Sequence, residues 1–279
     1  MKKLFKLVTM TVALVLILSA FMFAGCSSSK DPNKIYVGME CGYAPFNYTQ
    51  TTSANDAVKI SNANGYVNGY DVMIAKKIAE SLGKELVIVK YKFEALIPAV
   101  QAGSLDFIIA GMSPTEERLE EIDFSEAYYE SQLVIVVRKD GNFANATSLK
   151  DFKGAKIVAQ KGTFHDTALE AQAETYGIIR QTPLDTFPAM INALNSKAID
   201  GYVAEEPGAV ADCAANENLT YIHLVNNDTG FVASKEDVQI AIGLKKGSEL
   251  KTALNDALAK LDSAMRLEMM NKATEYAVA

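Results

Sequence analysis

Short apolar runs with strand character alternate with amphipathic helical segments along most of the chain, and this alternation limits the possible folds more than any other feature. In the first half, apolar residues recur on one helical face over 70–82, and Gly83 stands just past the end as a stop signal. Repeated strand-helix-strand order is typical of an α/β sheet with parallel pairing. The elements predicted here are strands over 35–40, 86–89 and 106–110 and helices over 70–82 and 93–100.

The same alternation restarts after an apolar strand over 133–137 and a break at Asp140-Gly141. Two such runs predict two α/β lobes rather than one sheet. Between the first strand and the first helix, residues 47–68 are rich in Thr, Ser, Asn and Gly, and they predict a long hairpin or excursion. The remaining predicted elements are strands over 155–159, 178–181, 198–203 and 241–244 and helices over 167–175, 187–194 and 249–268.

The N-terminus has the pattern of a secretory signal. Three lysines precede an apolar run over 7–23, and no acidic residue occurs in 1–25. The run ends in Phe23-Ala24-Gly25-Cys26, which resembles a bacterial lipobox with Phe where Leu is usual. We therefore predict a signal peptide over 1–25, a lipid anchor on Cys26 and a flexible stalk over 26–34. An uncleaved anchor helix is the alternative, and both place the protein outside the cytoplasm at a membrane.

The charge balance excludes two classes of partner. The chain has a formal net charge of −7, and removing the three leader lysines makes the remainder more acidic still. Nucleic-acid binding requires clustered Lys and Arg that neutralise phosphates, and no such run follows residue 6. A polybasic membrane-binding patch is unsupported for the same reason.

Cysteine and histidine are too few and too far apart for a metal site of the usual Cys/His kind. Apart from Cys26, only Cys41 and Cys213 remain, and buried free thiols are favoured over a disulfide between them. His165 follows a predicted strand, where a polar residue at a helix start is favoured over a catalytic base. Hydrolase, nucleotide-binding and zinc-protease motifs are absent from the sequence, so we expect neither enzymatic activity nor a cofactor.

The segment 110–118 has the composition of a carboxylate-binding site. A buried strand leads to Gly111, Ser113 and Thr115 can cap the helix that follows, and Arg118 falls in its first turn. Backbone N–H groups, hydroxyls and a guanidinium would then converge on one point, as they do around bound carboxylates. A surface salt bridge remains an equal alternative for Arg118 on this evidence alone.

Several motifs together resemble the polar amino-acid substrate-binding proteins of bacterial ABC importers, solute-binding protein family 3. They follow the order of the family, and the similarity covers roughly residues 35–262. The motifs are Gly42-Tyr43-Ala44-Pro45-Phe46, Gly69-Tyr70-Asp71, Phe93-Glu94-Ala95-Leu96-Ile97-Pro98-Ala99, the segment 110–118, Asp123-Phe124-Ser125, Gln160-Lys161-Gly162-Thr163 and Ile199-Asp200-Gly201-Tyr202-Val203.

The resemblance implies the type II periplasmic-binding fold, α/β with two lobes, each a mostly parallel sheet flanked by helices, and two hinge crossovers. The first lobe would comprise 35–137 and 238–279, and the second 138–237. It further implies a monomer that clamps a free amino acid between its lobes and delivers it to the permease subunits of an ABC transporter. The absence of Trp and of the family's usual C-terminal residues leaves the packing of the last twenty residues open.

The resemblance also implies how the backbone groups of the ligand would be bound. Arg118 would pair with the α-carboxylate, helped by Ser113, Thr163 and the Phe164 amide. Gly111 would offer its carbonyl oxygen to the α-amino group. Glu205 corresponds to the family's acidic acceptor of that amino group, which is commonly Asp, so the longer side chain leaves Glu206 as an alternative.

By the same resemblance, Tyr43 and Phe93 would sandwich the ligand side chain, and Glu40 would contact its distal end. Arg118 and Glu205 balance a zwitterion, so Glu40 leaves a surplus negative charge that favours lysine or arginine. Glutamine or a neutral amino acid could hydrogen-bond to the same carboxylate, and Lys161 could be its counter-charge. A prephenate or arogenate dehydratase on this fold is the enzymatic alternative, which Glu205 could serve as an acid.

Overall fold

The computed structural model describes residues 30–278. The predicted signal peptide, Cys26 and the first part of the predicted stalk lie outside the described residues. Contacts divide the chain after Pro32, and Asn33–Ala279 forms one compact unit. Among residues 30–278, no helix has the length and apolar character needed to cross a bilayer.

The compact unit is built from short strands and nine helices among the described residues. In chain order the strands are β1 (Lys34–Met39), β2 (Gly42–Tyr43), β3 (Asn47–Gln50), β4 (Val58–Lys59), β5 (Tyr66–Asn68), β6 (Glu85–Lys90), β7 (Phe107–Ile108), β8 (Asp123–Glu130), β9 (Leu133–Arg138), β10 (Lys156–Val158), β11 (Ile179–Arg180), β12 (Gly201–Glu205), β13 (Leu219–Ile222) and β14 (Gln239–Leu244). The helices are α1 (Tyr70–Leu82), α2 (Leu96–Gln101), α3 (Glu116–Glu121), α4 (Phe164–Tyr176), α5 (Phe187–Asn195), α6 (Glu206–Ala215), α7 (Lys235–Val238), α8 (Leu250–Ala259) and α9 (Ser263–Val278). Short 3-10 turns cover Ala54–Asp56, Phe93–Ala95 and Leu149–Phe152.

Two five-stranded sheets form the cores of two lobes. The first has the order β6-β1-β7-β14-β8 and the second β11-β10-β12-β9-β13. In each sheet one strand, β14 or β9, runs antiparallel to both of its neighbours while the others share one direction. The prediction of two mostly parallel α/β lobes is confirmed.

The predicted helix over 70–82 is confirmed at both ends. Val72, Ile74 and Ile78 are buried on one face, and Gly83 ends the helix in the left-handed region with φ of 63°. The predicted excursion over 47–68 forms β3, β4 and β5, which join β2 in a separate four-stranded sheet. This small sheet adds to the first lobe, and Ile60, just after β4, pairs with Ile88 of β6 at the edge of the main sheet.

The first crossing between lobes comes earlier than predicted. We expected the first lobe to extend to residue 137, but β9 pairs with β12 and β13 and so belongs to the second sheet. Its first five residues are all buried, because strands pack on both sides of it and the sheet is covered. The chain therefore crosses between Glu130 and Leu133.

The predicted single helix over 249–268 is wrong, because α8 ends at Ala259 and α9 begins at Ser263. Asp262 caps the new helix by accepting a hydrogen bond from the Met265 N–H at 2.8 Å. The Arg266 guanidinium donates to the carbonyl oxygens of Leu258 and Leu261 at 2.9 Å, which satisfies the end of α8. A periodic apolar pattern continues across this break, so periodicity alone does not reveal it.

A buried carboxylate joins the start of α1 to the loop that follows β7. Asp71 accepts hydrogen bonds from Tyr128 Oη at 2.6 Å and Asn47 Nδ2 at 2.8 Å, and from the Gly111 backbone N–H. Burial raises the pKa of Asp71 to about 6 despite these donors. The network holds the Gly111 loop against the first lobe.

The two described cysteines are free thiols, as predicted. Cys41 is buried, and Cys213 on α6 is half-buried. Burial raises the pKa of both thiols to about 12, so they remain protonated at neutral pH.

Candidate functional site

The carboxyl ends of parallel strands from both lobes face one small buried cavity of about 10 Å³. This is the edge at which ligands bind in open α/β sheets. All the predicted ligand-binding residues except Glu40 line it. Its lining comprises Tyr43, Phe93, Ala110, Gly111, Ser113, Arg118, Gln160, Thr163, Phe164, His165 and Glu205.

Tyr43 is one of the residues through which the two lobes meet. Its ring stacks on Phe187 of the second lobe, with centroids 4.2 Å apart and planes inclined by 12°. A Cβ at Gly111 would lie 3.0 Å from Cε1 of this ring, and one at Gly208 would lie 2.9 Å from Cε2. Both glycines are therefore required for the close approach. The Tyr43 hydroxyl donates a hydrogen bond to Oε2 of Glu205 across the cleft.

Glu205 ends β12 and is almost completely buried. Its Oε2 accepts the hydrogen bond from Tyr43, and its Oε1 lies 3.5 Å from Nε2 of His165. Glu206, the alternative acceptor, turns away from the cavity and pairs with His223 at 3.2 Å. Of the two acidic residues, only Glu205 lines the cavity.

Arg118 bridges the two lobes from α3. Its guanidinium donates to the carbonyl oxygen of Ser113 at 2.8 Å and to that of Gly162, in the second lobe, at 3.1 Å. The guanidinium carbon lies 5.2 Å from the centroid of Phe93, close enough for a cation–π interaction. Burial lowers the pKa of Arg118 to about 10, so it is charged at neutral pH. Thr115 caps α3, as predicted.

The N-terminus of α4 supplies the opposite wall beside Arg118. Thr163 and Phe164 stand at its start, where the first backbone N–H groups lack intrahelical partners and attract anions. The Thr163 hydroxyl donates to the carbonyl oxygen of Gln160 at 2.7 Å. In this rotamer Thr163 offers a ligand its backbone rather than its hydroxyl hydrogen.

Glu40 does not line the central cavity itself, but it contacts Gln160, which does. The Gln160 amide of the second lobe donates to Oε2 of Glu40 at 2.8 Å, while Oε1 is buried without a hydrogen-bond partner among the described residues. Burial raises the pKa of Glu40 to about 7, and the hydrogen bond from Gln160 opposes that rise. At neutral pH the carboxyl is therefore only partly ionised, and a nearby cation would favour its charged form.

Ion pairs at the rim also connect the lobes. Lys92 lies 2.8 Å from Asp185, and Lys161 lies 3.5 Å from Glu94. Lys161 is thus directed to Glu94 and away from Glu40, for which it was the alternative counter-charge. These exposed pairs add little stability individually.

The central cavity is too small for an amino acid, because a volume of about 10 Å³ holds roughly one water molecule. Larger pockets flank it, one of about 330 Å³ beside Arg118 and one of about 380 Å³ beside Glu40. Entry of a larger ligand therefore requires the lobes to part or the aromatic side chains between the pockets to move.

Three residues of this region were not predicted from the sequence as part of the site. Gln160 and His165 both follow β10, at the strand edge where site residues were expected, so their position was an available signal. Phe187 begins α5, and its apolar side chain is indistinguishable in sequence from helical core. Its stacking on Tyr43 depends on how the lobes meet, which no local pattern encodes.

The model for bacterial extracellular solute-binding proteins, family 3, matches residues 35–273. The arginine-binding extracellular protein ArtP of Bacillus subtilis is 27% identical over 90% of this chain and 92% of its own length. The glutamine-binding protein GlnH of the same organism is 27% identical over 98% of this chain and 97% of its own.

A crystal structure of an amino acid ABC transporter substrate-binding protein from Streptococcus pneumoniae, bound to L-arginine, superposes with a TM-score of 0.76. It is 27% identical and covers 89% of this chain and 96% of its own. The predicted type II periplasmic-binding fold is thereby confirmed. The chain belongs to family 3 of the bacterial extracellular solute-binding proteins.

Proposed function

We propose that this protein captures a cationic α-amino acid, arginine or lysine, between its lobes and delivers it to an ABC permease. The observation that carries the proposal is that one positively charged and one negatively charged side chain, Arg118 and Glu205, line the same buried cavity. An α-amino acid presents a carboxylate and an ammonium group together, and each needs a partner of opposite charge once water is removed. The arginine-binding relative and the arginine-bound structure support the same substrate class.

The carboxylate of the ligand would be bound between Arg118 and the start of α4. The guanidinium already contacts backbone oxygens of both lobes, so a carboxylate that replaced one of them would retain the bridge between lobes. The first N–H groups of α4 would add donors, and Ser113 a hydroxyl. Lobe closure would then be the conformational signal that the permease recognises.

The side chain of the ligand would extend past Tyr43 and Phe93 to Glu40. A guanidinium or ammonium group there would replace the Gln160 amide and pair with the otherwise unpartnered Oε1. Its positive charge would favour ionisation of a carboxyl whose pKa burial raises to about 7. Both effects favour a cationic ligand.

Glutamine is the second candidate, and one contact favours it. Glu40 accepts a hydrogen bond from the side-chain amide of Gln160, so the amide of a glutamine ligand could satisfy the same oxygen. A glutamine-binding relative of nearly the same length supports this alternative. A dehydratase is not favoured, because Glu205 is already engaged by Tyr43 and His165 and the family is one of solute-binding proteins.

We further propose that the protein is a monomer that remains at the outer face of the membrane through lipid on Cys26. The apolar leader and the small residues before Cys26 support this attachment. Attachment would keep the binding protein close to its permease and raise its effective concentration there.

Replacement of Cys26 by serine should release the protein from membranes while leaving amino-acid binding intact. The thiol that accepts lipid would be missing, but the folded unit begins after it. Fractionation of cells followed by immunoblotting measures the distribution, and Cys213→Ser is the matched control. If the Cys26 variant stays membrane-bound to the same extent, the lipid anchor is refuted.

Arg118→Ala should weaken arginine and glutamine binding alike, by roughly 30-fold to several thousand-fold. Removing one member of a desolvated charge pair costs about 2–5 kcal/mol, and every 1.4 kcal/mol is about tenfold. Isothermal titration calorimetry gives the affinities, and melting temperatures check the fold. Arg118→Lys should lose less, since it keeps the charge but not the fork geometry. Unchanged affinity for both ligands in the alanine variant would contradict the carboxylate assignment.

Glu40→Gln should distinguish a cationic ligand from an amide. We expect arginine affinity to fall by roughly 10–100-fold and glutamine affinity by less than about threefold, because only the cation loses a charge partner. Glu85→Gln is the matched control, since this acid of the same lobe pairs with Lys34 and lines neither the central cavity nor the two pockets beside it. Equal losses for both ligands would refute the cationic preference.

A further inference from the structure

A second pocket begins where the proposed ligand side chain would end. This distal pocket has a volume of about 380 Å³, and its lining includes Glu40, Lys90 and Phe93 of the first lobe and Asp185 and Thr186 of the second. Phe93 also lines the central cavity, so its ring forms a wall of both spaces. Whole ligand pockets typically measure about 300–1,000 Å³, so the distal pocket has room beyond a single ammonium or guanidinium group.

Two acids and two lysines line the distal pocket. Asp185 and Lys92 form an ion pair at 2.8 Å, which joins the lobes at the rim. Glu40 instead accepts a hydrogen bond from the neutral amide of Gln160, and Lys90 acts on it only through its charge. One negative and one positive group, Glu40 and Lys90, therefore remain to meet a ligand.

We propose that the distal pocket binds a second amino-acid zwitterion, so that the protein accepts bis-amino acids, which carry an ammonium group and a carboxylate at each end. The proposal rests on the proposed amino-acid binding between the lobes. Arg118 and Glu205 would bind one end of the ligand, and Lys90 and Glu40 the other. Each end would then meet one cation and one anion, which balances the charges where water is excluded.

Lys90 is held beside Glu40 by the main sheet and by the small one. It ends β6, where its register partner on β1 is Met39, the residue before Glu40. The backbone of Lys90 also exchanges two hydrogen bonds with the Asn62 side chain, at 2.8 Å and 2.9 Å. Asn62 belongs to the excursion over 47–68 and lines the distal pocket. The excursion therefore helps to fix the position of the distal cation.

Thr186 offers a second donor from the opposite lobe. Its hydroxyl oxygen caps α5 by accepting a hydrogen bond from the Ala189 N–H at 3.3 Å, which leaves the hydroxyl hydrogen for another acceptor. A carboxylate accepts from several donors at once, so a distal carboxylate could join Lys90 and Thr186. The ligand would then contact both lobes at each of its ends, and it would favour their closure.

A simple cationic side chain would satisfy only half of the distal pocket. The ammonium group of lysine would pair with Glu40, but it would also bring a second positive charge near Lys90. A carboxylate on the carbon that bears this ammonium group would pair with Lys90 instead. The charges of the pocket therefore favour the bis-amino acid over the simple cationic one.

The test compares L-lysine with 2,6-diaminoheptanedioate, which is lysine with a second carboxylate on its distal carbon. In wild type at neutral pH, we expect the diacid to bind at least as tightly as lysine. Lys90→Met should weaken binding of the diacid by about tenfold, because it removes a charge-assisted hydrogen bond. Lysine affinity should stay within about threefold or increase, since a repelling charge is lost. Isothermal titration calorimetry measures both affinities.

Controls separate the role of Lys90 from general effects of charge and packing. Lys59→Met removes the same charge from an exposed position in β4 that lines neither the central cavity nor the pockets beside it, so the ratio of the two affinities should not change. Glu40→Gln should weaken both ligands, because each places an ammonium group there. Lys90→Gln is a second variant, and melting temperatures check the fold of each.

The outcomes distinguish this proposal from the proposed function. If wild type binds none of lysine, arginine and glutamine, both fail. If it binds lysine or arginine but binds the diacid more than about 30-fold more weakly, the second zwitterion site is overturned while amino-acid binding stands. The site is also overturned if Lys90→Met and Lys90→Gln change the affinities for lysine and the diacid by the same factor.

Discussion

The contact between Tyr43 of the first lobe and Glu205 of the second is the interaction on which the site depends. It places an almost fully buried carboxylate where the lobes meet, and such a charge needs partners because water no longer solvates it. Its approach requires Gly111 and Gly208 on either side of the Tyr43 ring. Any ligand that enters must therefore satisfy Glu205 at least as well as the protein does.

Arg118 needs a negatively charged partner, just as Glu205 needs a positively charged one. It bridges the lobes through backbone oxygens, which are weaker partners for a guanidinium than a carboxylate. A zwitterion that satisfies both Arg118 and Glu205 would stabilise the same approach of the lobes that the protein makes by itself. Binding and closure would then be two aspects of one equilibrium, and a ligand would shift it by its differential affinity.

Local pattern predicted the two sheets, the full extent of α1 and the strand edge that bears Gly111 and Arg118. It failed where a boundary depends on tertiary contacts. The break before α9 is set by Asp262 and by Arg266 reaching back to α8, and the membership of β9 is set by its sheet partners. The residue roles came from family resemblance, while Phe187 and the His165–Glu205 pair required the three-dimensional arrangement of the lobes.

The most direct test of the central claim is a crystal structure of the protein with L-arginine at neutral pH. The account predicts the α-carboxylate on Arg118 and the start of α4, the ammonium group on Glu205, and the guanidinium at Glu40 in place of the Gln160 amide. A ligand bound outside the cleft, or one whose carboxylate lies away from Arg118, would contradict it.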